Sequence, residues 1–281
     1  MSTSSASSRR DADYVLGHWP EEYERLRLQG ILFNPDTERL LREAGIAPGM
    51  RVLDIGTGVG DVALIAARLV GKSGEVIGVD GDAGCLEVAR GRAQAEGFGR
   101  VKFLESDFRK FGEANSFDAV TGRLVLLYQA NPVAALAHIR SLLKPGGILA
   151  LQDAILGDEY CFSHPHCELY QHCIRLFWET LARGGADGKC GFKLHQYFVA
   201  AGFPAPALRS NPLVVTRHTP LFFDYFQQFM KAIAPKMEEL GVAKAADFDV
   251  ETLGQRLRSE IERTDGILIY APMVGAWCRK A

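Results

Sequence analysis

The stretch Arg51-Val-Leu-Asp-Ile-Gly-Thr-Gly-Val-Gly-Asp61 constrains this chain more than any other. Val52, Leu53 and Ile55 read as a short buried strand. Gly56, Gly58 and Gly60 then make a turn where backbone can approach a ligand without interference from a Cβ. Asp61 opens an amphipathic helix that sets Val62, Ile65, Ala66 and Leu69 on one face. A carboxylate, Asp54, stands at the C-terminal end of the strand and faces whatever lies over the turn. The spacing is G-x-G-x-G, because the position that would complete the G-x-G-x-x-G of dinucleotide binders is Asp61. No Gly-Lys-Ser/Thr follows the turn, which excludes a P-loop, and Lys72-Ser73 falls after the helix in a solvated turn. Alone, such a stretch also fits a plain tight turn in an α/β sheet.

The strands that follow narrow the choice. Val76-Ile-Gly-Val-Asp80 is a second buried strand ending in an acid, where a carboxylate can accept two ribose hydroxyls. Val101-Lys-Phe-Leu-Glu-Ser-Asp107-Phe108 is a third, with an aromatic beside its acid. Acids at three successive strand ends occupy the ligand-bearing edge of a parallel sheet. On these residues the chain resembles the class I S-adenosylmethionine-dependent methyltransferases of small-molecule, secondary-metabolite type. The similarity extends through Phe117-Asp-Ala-Val-Thr-Gly122, a fourth strand, and Leu143-Lys-Pro-Gly-Gly-Ile-Leu-Ala-Leu151, a helix end, turn and fifth strand. It covers about residues 46 to 155, and the remainder by topology only.

The resemblance implies S-adenosyl-L-methionine as cofactor and S-adenosyl-L-homocysteine as product. It implies that Asp80, with Gly81, holds the ribose, that Asp107 binds the adenine amine, and that Phe108 covers the base. The turn of Gly56, Thr57, Gly58 and Gly60 would receive the methionine moiety, with Asp54 near its ammonium. Gln29 either reaches that same end or faces solvent. Arg123, directly after the fourth strand, either pairs with the cofactor carboxylate or answers acids such as Asp54 and Asp118.

Strands near 51–55, 75–79, 101–105, 117–121 and 147–152 alternate with helices near 60–70, 83–96 and 132–143. That order predicts an α/β fold, a doubly wound and mostly parallel seven-stranded sheet of Rossmann-like methyltransferase type with helical cap insertions. At 281 residues the chain has room for one large domain with a cap. The expected organisation is a polar, Ser-rich tail over 1–13 and helices over 14–45 covering the active site. A cofactor-binding core over 46–155 is followed by a helical cap insertion over 156–190 and the core again over 191–217. A helical lid over 218–263 and a last strand within 264–281 complete it. The leading segment is read as two helices, one from Pro20 and a second over Thr37 to Ala44. Asn131-Pro132 caps and starts the helix that carries His138, a structural or surface residue.

Outside the core, Cys161-Phe-Ser-His164-Pro-His166-Cys167-Glu-Leu-Tyr-Gln-His172-Cys173 concentrates soft ligands. It lacks a C-x-x-C pair, an H-E-x-x-H and a second cluster, so no metal is expected. It reads better as a segment lining the acceptor pocket. Phe222, Tyr225, Phe226 and Phe229 recur at helical spacing, as core packing or as the aromatic face of a lid. Pocket-wall candidates are Tyr14, Tyr160, Trp178, Phe222 and Phe226. A general base is needed only where the acceptor must lose its proton early. Its candidates are His164, His166, His172 and Asp153, each with an alternative as a surface or packing residue.

Composition excludes several classes. A net charge of −2 gives no electrostatic reason for a nucleic acid or anionic membrane partner. No apolar run approaches the ~20 residues of a membrane helix, and the N-terminus lacks the apolar core of a signal peptide. Six dispersed cysteines suit reduced thiols in a cytoplasm. The expected partner is a small-molecule acceptor, apolar or aromatic, methylated on oxygen or nitrogen, or on carbon if it is an isoprenoid. A homodimer or larger ring fits the apolar cap. The rival readings are a cofactor-binding but non-catalytic regulatory or assembly protein, marked by a cap with no acceptor cavity, and a dehydrogenase, disfavoured by the glycine spacing.

Overall fold

A computed structural model describes residues 20–281; Tyr14 and the 1–13 segment lie outside the described residues. The elements run α1 (Pro20–Ala44), β1 (Arg51–Ile55), α2 (Asp61–Val70), β2 (Glu75–Asp80), α3 (Ala83–Ala95), β3 (Lys102–Glu105) and β4 (Phe117–Arg123). They continue as α4 (Pro132–Leu142), β5 (Leu143–Ala154), β6 (Phe162–His164), α5 (Glu168–Arg183), α6 (Cys190–Ala200), β7 (Ala207–Val215), α7 (Pro220–Glu239), α8 (Leu253–Thr264) and β8 (Ile267–Arg279).

One mixed sheet carries the strands in the order β3-β2-β1-β4-β5-β8, with β7 on the far edge of β8. The first five are parallel, and β8 runs antiparallel to β5 and β7. The doubly wound, mostly parallel sheet expected from the alternation is therefore present. Short β6 adds an eighth member, pairing Phe162–His164 with Ile267–Ile269 of β8. Central strands are apolar on both faces because helices cover both. Val62, Ile65 and Leu69 of α2 and Leu86 and Ala89 of α3 close one face. The other is closed by Leu136 and Ile139 of α4, Leu194 and Phe198 of α6, and the aromatic stripe of α7.

The leading segment differs from its expected form. It is one helix through Pro35, although proline removes a backbone donor and disfavours a helix interior. Tertiary contacts hold this stretch against that preference. Thr37 on α1 donates to Gln152 of β5 at 2.7 Å, Gln152 donates to Asp36 at 2.8 Å, and Asn34 donates to Asp61 at 3.2 Å. α1 thus lies across the strand ends, against α2 and α7. α6 runs from Cys190 to Ala200.

Asn131 caps α4 by accepting from the Ala134 N–H at 2.9 Å, and His138 Nε2 lies 3.1 Å from the Phe111 carbonyl oxygen. All six cysteines are free thiols. Among the described residues, no helix is long and apolar enough to cross a membrane.

Candidate active site

The site is built on the first β-turn-α unit. β1 ends in a turn where Gly56, Gly58 and Gly60 take φ values of 57°, 51° and 87°, the left-handed region that favours glycine. At Gly56 the space is also closed, since a Cβ would stand 2.8 Å from Val125 Cγ2. The turn is braced from below. Asp54 is fully buried and accepts from the Thr57 hydroxyl at 2.6 Å and the Thr121 hydroxyl at 3.1 Å. Thr121 is its register partner on β4. Burial pushes the Asp54 carboxyl up to about 7 against the lowering effect of those hydroxyls. Asp54 and Thr57 therefore support the turn rather than face its ligand side, and Gly60 packs on Ala89 and Phe103.

Asp80 closes the turn from the next strand. Its carboxylate accepts from the Gly58 N–H at 2.8 Å and the Asp82 N–H at 3.0 Å, and burial raises its pKa. Asp82 caps α3 by accepting from the Gly84 and Cys85 N–H groups. Tyr23 of α1 donates to the same side chain at 3.3 Å. Across the turn, Arg123 is buried and donates to Asn34 and Thr37, each at 3.0 Å, with Asp61 at 3.7 Å.

Above these groups lies a cavity of about 240 Å³. One end is bordered by Gly56, Gly58, Asp80, Asp82 and Cys85, with Gln29 and Arg123 along its side. The other is walled by Phe177 and Leu181 of α5, Tyr225 and Phe229 of α7, and Tyr270 and Met273 of β8. Leu124 and Ala271, which also border it, have φ values of 58° and 35°. Non-glycine residues held in this region cost ~1–3 kcal/mol each and concentrate at binding sites.

Of the cofactor residues expected from the sequence, Gln29, Gly56, Gly58, Asp80 and Arg123 border the cavity. Gly81 is exposed. Asp107 is engaged by its neighbour Arg109 at 2.8 Å, which lowers its pKa, and Phe108 is packed in the core. Neither of these two borders the cavity.

The histidines expected as candidate bases are not at the cavity. His164 and His166 are exposed and His172 is half-buried, and His166 pairs with Glu168 at 3.0 Å. The alternation of β6 and the turn into α5 direct them to the surface while Cys161, Cys167 and Cys173 go inside. Asp153 is buried beneath the Leu126 N–H, which it accepts at 3.2 Å. Burial pushes it up to about 7, and its Oδ1 has no hydrogen-bond partner among the described residues.

The expected pocket walls shift too. Tyr160 packs edge-on against Phe192 at 5.1 Å, and Lys189 lies 5.8 Å from the Trp178 ring. Phe222 and Phe226 are fully buried and stack on each other at 5.5 Å. None of the four borders the cavity. An aromatic stripe has two edges, and it is Tyr225 and Phe229, four apart, that face the open side. Arg25, Tyr270 and Met273 also border it without having been marked by the sequence. For Arg25 the signal was there: an arginine on the apolar side of a helix that also carries Leu28 and Gln29.

Residues 46–176 match the family model described as a methyltransferase domain. A sterol 24-C-methyltransferase of Yarrowia lipolytica is 33% identical over 143 residues, 49% of this chain and 37% of that protein. A ubiquinone/menaquinone biosynthesis C-methyltransferase of Teredinibacter turnerae is 35% identical over 137 residues, 48% of this chain and 51% of that one. The chain thus spans about half the length, or less, of these curated relatives. Among solved structures, phosphoethanolamine N-methyltransferase 2 of Haemonchus contortus, in complex with phosphomonomethylethanolamine and S-adenosylhomocysteine, aligns with a TM-score of 0.55 at 20% identity. That alignment covers 91% of this chain and 57% of the other, a likeness of fold.

Proposed function

We propose that this chain, whose residues 46–176 match a methyltransferase domain, uses S-adenosylmethionine to methylate a small apolar or aromatic acceptor on carbon. The observation that carries the proposal is the single cavity joining the Gly58–Asp80 corner to a wall of Phe177, Tyr225 and Phe229. The glycine turn fits the cofactor, because Gly56 and Gly58 border the cavity with bare backbone and put no side chain into it. Asp80 would hold the ribose hydroxyls, and Asp82 and Cys85 rim the end where the base would sit. Gln29 and Arg123 would take the amino-acid tail. When bound, S-adenosylmethionine supplies an electrophilic methyl group on a sulfonium. The chain's own part is to align the acceptor and exclude water, which α1, α5 and α7 do by roofing the strand ends.

Carbon is favoured over the oxygen or nitrogen expected from the sequence because both curated relatives above are named as C-methyltransferases. The room beside the aromatic wall supports an enzyme over a non-catalytic binder, for which a cap without an acceptor cavity was the expected mark. Isothermal titration with S-adenosylhomocysteine and with NAD tests the proposal. Binding of the homocysteine product with NAD ignored is expected. Binding of NAD alone would refute it.

A further inference from the structure

The acceptor half of the cavity is apolar except at one place. Tyr225 of α7 and Tyr270 of β8 both border it, and their hydroxyl oxygens stand 3.3 Å apart. Arg25 of α1 reaches the same spot, its guanidinium 5.9 Å from the Tyr225 ring and 5.6 Å from the Phe229 ring. Glu22 holds Arg25 by two bonds of 2.7 Å, and Gln29 accepts a third at 2.5 Å. Arg25, Tyr225 and Tyr270 are 1%, 2% and 3% exposed, so this polar cluster is sealed inside an apolar wall.

The hydrogen-bond inventory does not close within the protein. A guanidinium only donates, so Arg25, 5.9 Å from the Tyr225 ring, takes neither phenol's proton. Tyr225 keeps its own proton to give. Two hydroxyls that share one hydrogen bond use one of their two O–H protons. Among the described residues nothing takes the second. Burial raises the pKa of both phenols, so both stay protonated donors at neutral pH. A buried donor without an acceptor is costly, and a ligand oxygen at this point would relieve that cost.

We propose that the Tyr225–Tyr270 hydroxyl pair, backed by Arg25, is a clasp for an oxygen of the acceptor, which is therefore a flat apolar body bearing a phenol or enol rather than a plain hydrocarbon. This deepens the carbon-methyltransferase reading and rests on it. Glu22 answers the Arg25 charge, so the clasp recognises oxygen through hydrogen bonds and not through a bare cation. Arg25 polarises the Tyr225 O–H and strengthens it as a donor. Hydrogen bonds donated to a phenol or enol oxygen favour its ionised form. The acceptor's proton passes to solvent on binding, and the charge left behind spreads onto the neighbouring carbon; that carbon bonds to the methyl as the sulfur–methyl bond breaks, and its own hydrogen then leaves as a proton to restore the phenol or enol.

The test is titration of 2-naphthol and of naphthalene into the protein saturated with S-adenosylhomocysteine, with Tyr225→Phe, Tyr270→Phe and the double variant alongside. Product binding, read separately, reports folding and the methyltransferase reading independently of the clasp. The wild type is expected to bind 2-naphthol at least about tenfold more tightly than naphthalene. Bound naphthol should also show the absorption of the naphtholate at a lower pH than free naphthol. In the double variant the preference and the spectral change should both be lost while affinity for S-adenosylhomocysteine stays. Equal binding of the two probes, no binding of 2-naphthol at millimolar concentration, or a preference that survives in the double variant overturns the clasp. None of those results touches the cofactor assignment, which fails only if S-adenosylhomocysteine does not bind.

Discussion

Replacing Asp80 with Asn tests the cofactor corner most directly. A carboxylate has about four acceptor positions. Here two are filled by the Gly58 N–H at 2.8 Å and the Asp82 N–H at 3.0 Å, one on each oxygen. One position remains on each oxygen, which is what two adjacent ribose hydroxyls require. Asp80→Asn keeps the shape but turns one acceptor oxygen into a donor. One hydroxyl bond is lost, the other loses its charge assistance, and one backbone N–H now meets a donor. With charge-assisted bonds at ~1.5–3 kcal/mol each, the loss should total about 2–4 kcal/mol, or about 30- to 700-fold in Kd. Isothermal titration with S-adenosylhomocysteine at pH 8 measures it, with the urea midpoint as a control for folding. Because burial raises the Asp80 pKa, wild-type affinity should also weaken as pH falls through a value above the ordinary carboxylate range. An Asp80→Asn protein within threefold of wild type would refute the reasoning.

Three further outcomes are expected. Burial pushes both Asp54 and Asp153 up to about 7. Between pH ~4 and ~7 the native state then binds more protons than the unfolded chain, and these groups lower stability as pH rises, by up to about 1.4 kcal/mol per pH unit each. Asp153→Asn should therefore make the decline in urea-derived stability between pH 5 and pH 8 shallower, and an unchanged slope would count against it. Gly56→Ala meets both a φ of 57° and Val125 at 2.8 Å, whereas Gly97→Ala, at the left-handed turn that ends α3, meets a φ of 78° with open space. The first should cost clearly more than the ~1–2 kcal/mol of backbone strain the two share and should weaken product binding, and equal urea midpoints would contradict this. His164→Ala and His166→Ala, at exposed positions, should each change stability by less than ~0.5 kcal/mol and leave methyl transfer within twofold. A tenfold fall in transfer would return a histidine to the reaction.

The core of this protein is legible in its letters because each signal there is local. The Gly56–Gly60 turn, the acid ending β2 and the alternation of apolar strands with amphipathic helices are short-range consequences of backbone sterics and burial. They suffice to place Asp80 at the strand ends and to predict the sheet. The identity of the residues beside the acceptor is not local. Phe222 and Phe226 satisfy the same spacing as Tyr225 and Phe229, and only the approach of β8 and α5 decides which edge of the stripe faces open space. His164 and His166 lie within a few residues of buried cysteines, yet the direction of β6 turns them outward.

α1 shows the reverse dependence: Pro35 argues locally for a break, and bonds from Asn34 and Thr37 to α2 and β5 keep one helix. That helix delivers Arg25 to tyrosines 200 and more positions away along the chain. Periodicity determines which side of an element is buried. The tertiary structure alone decides what that side is buried against, because contacts between distant segments leave no spacing in the sequence to read.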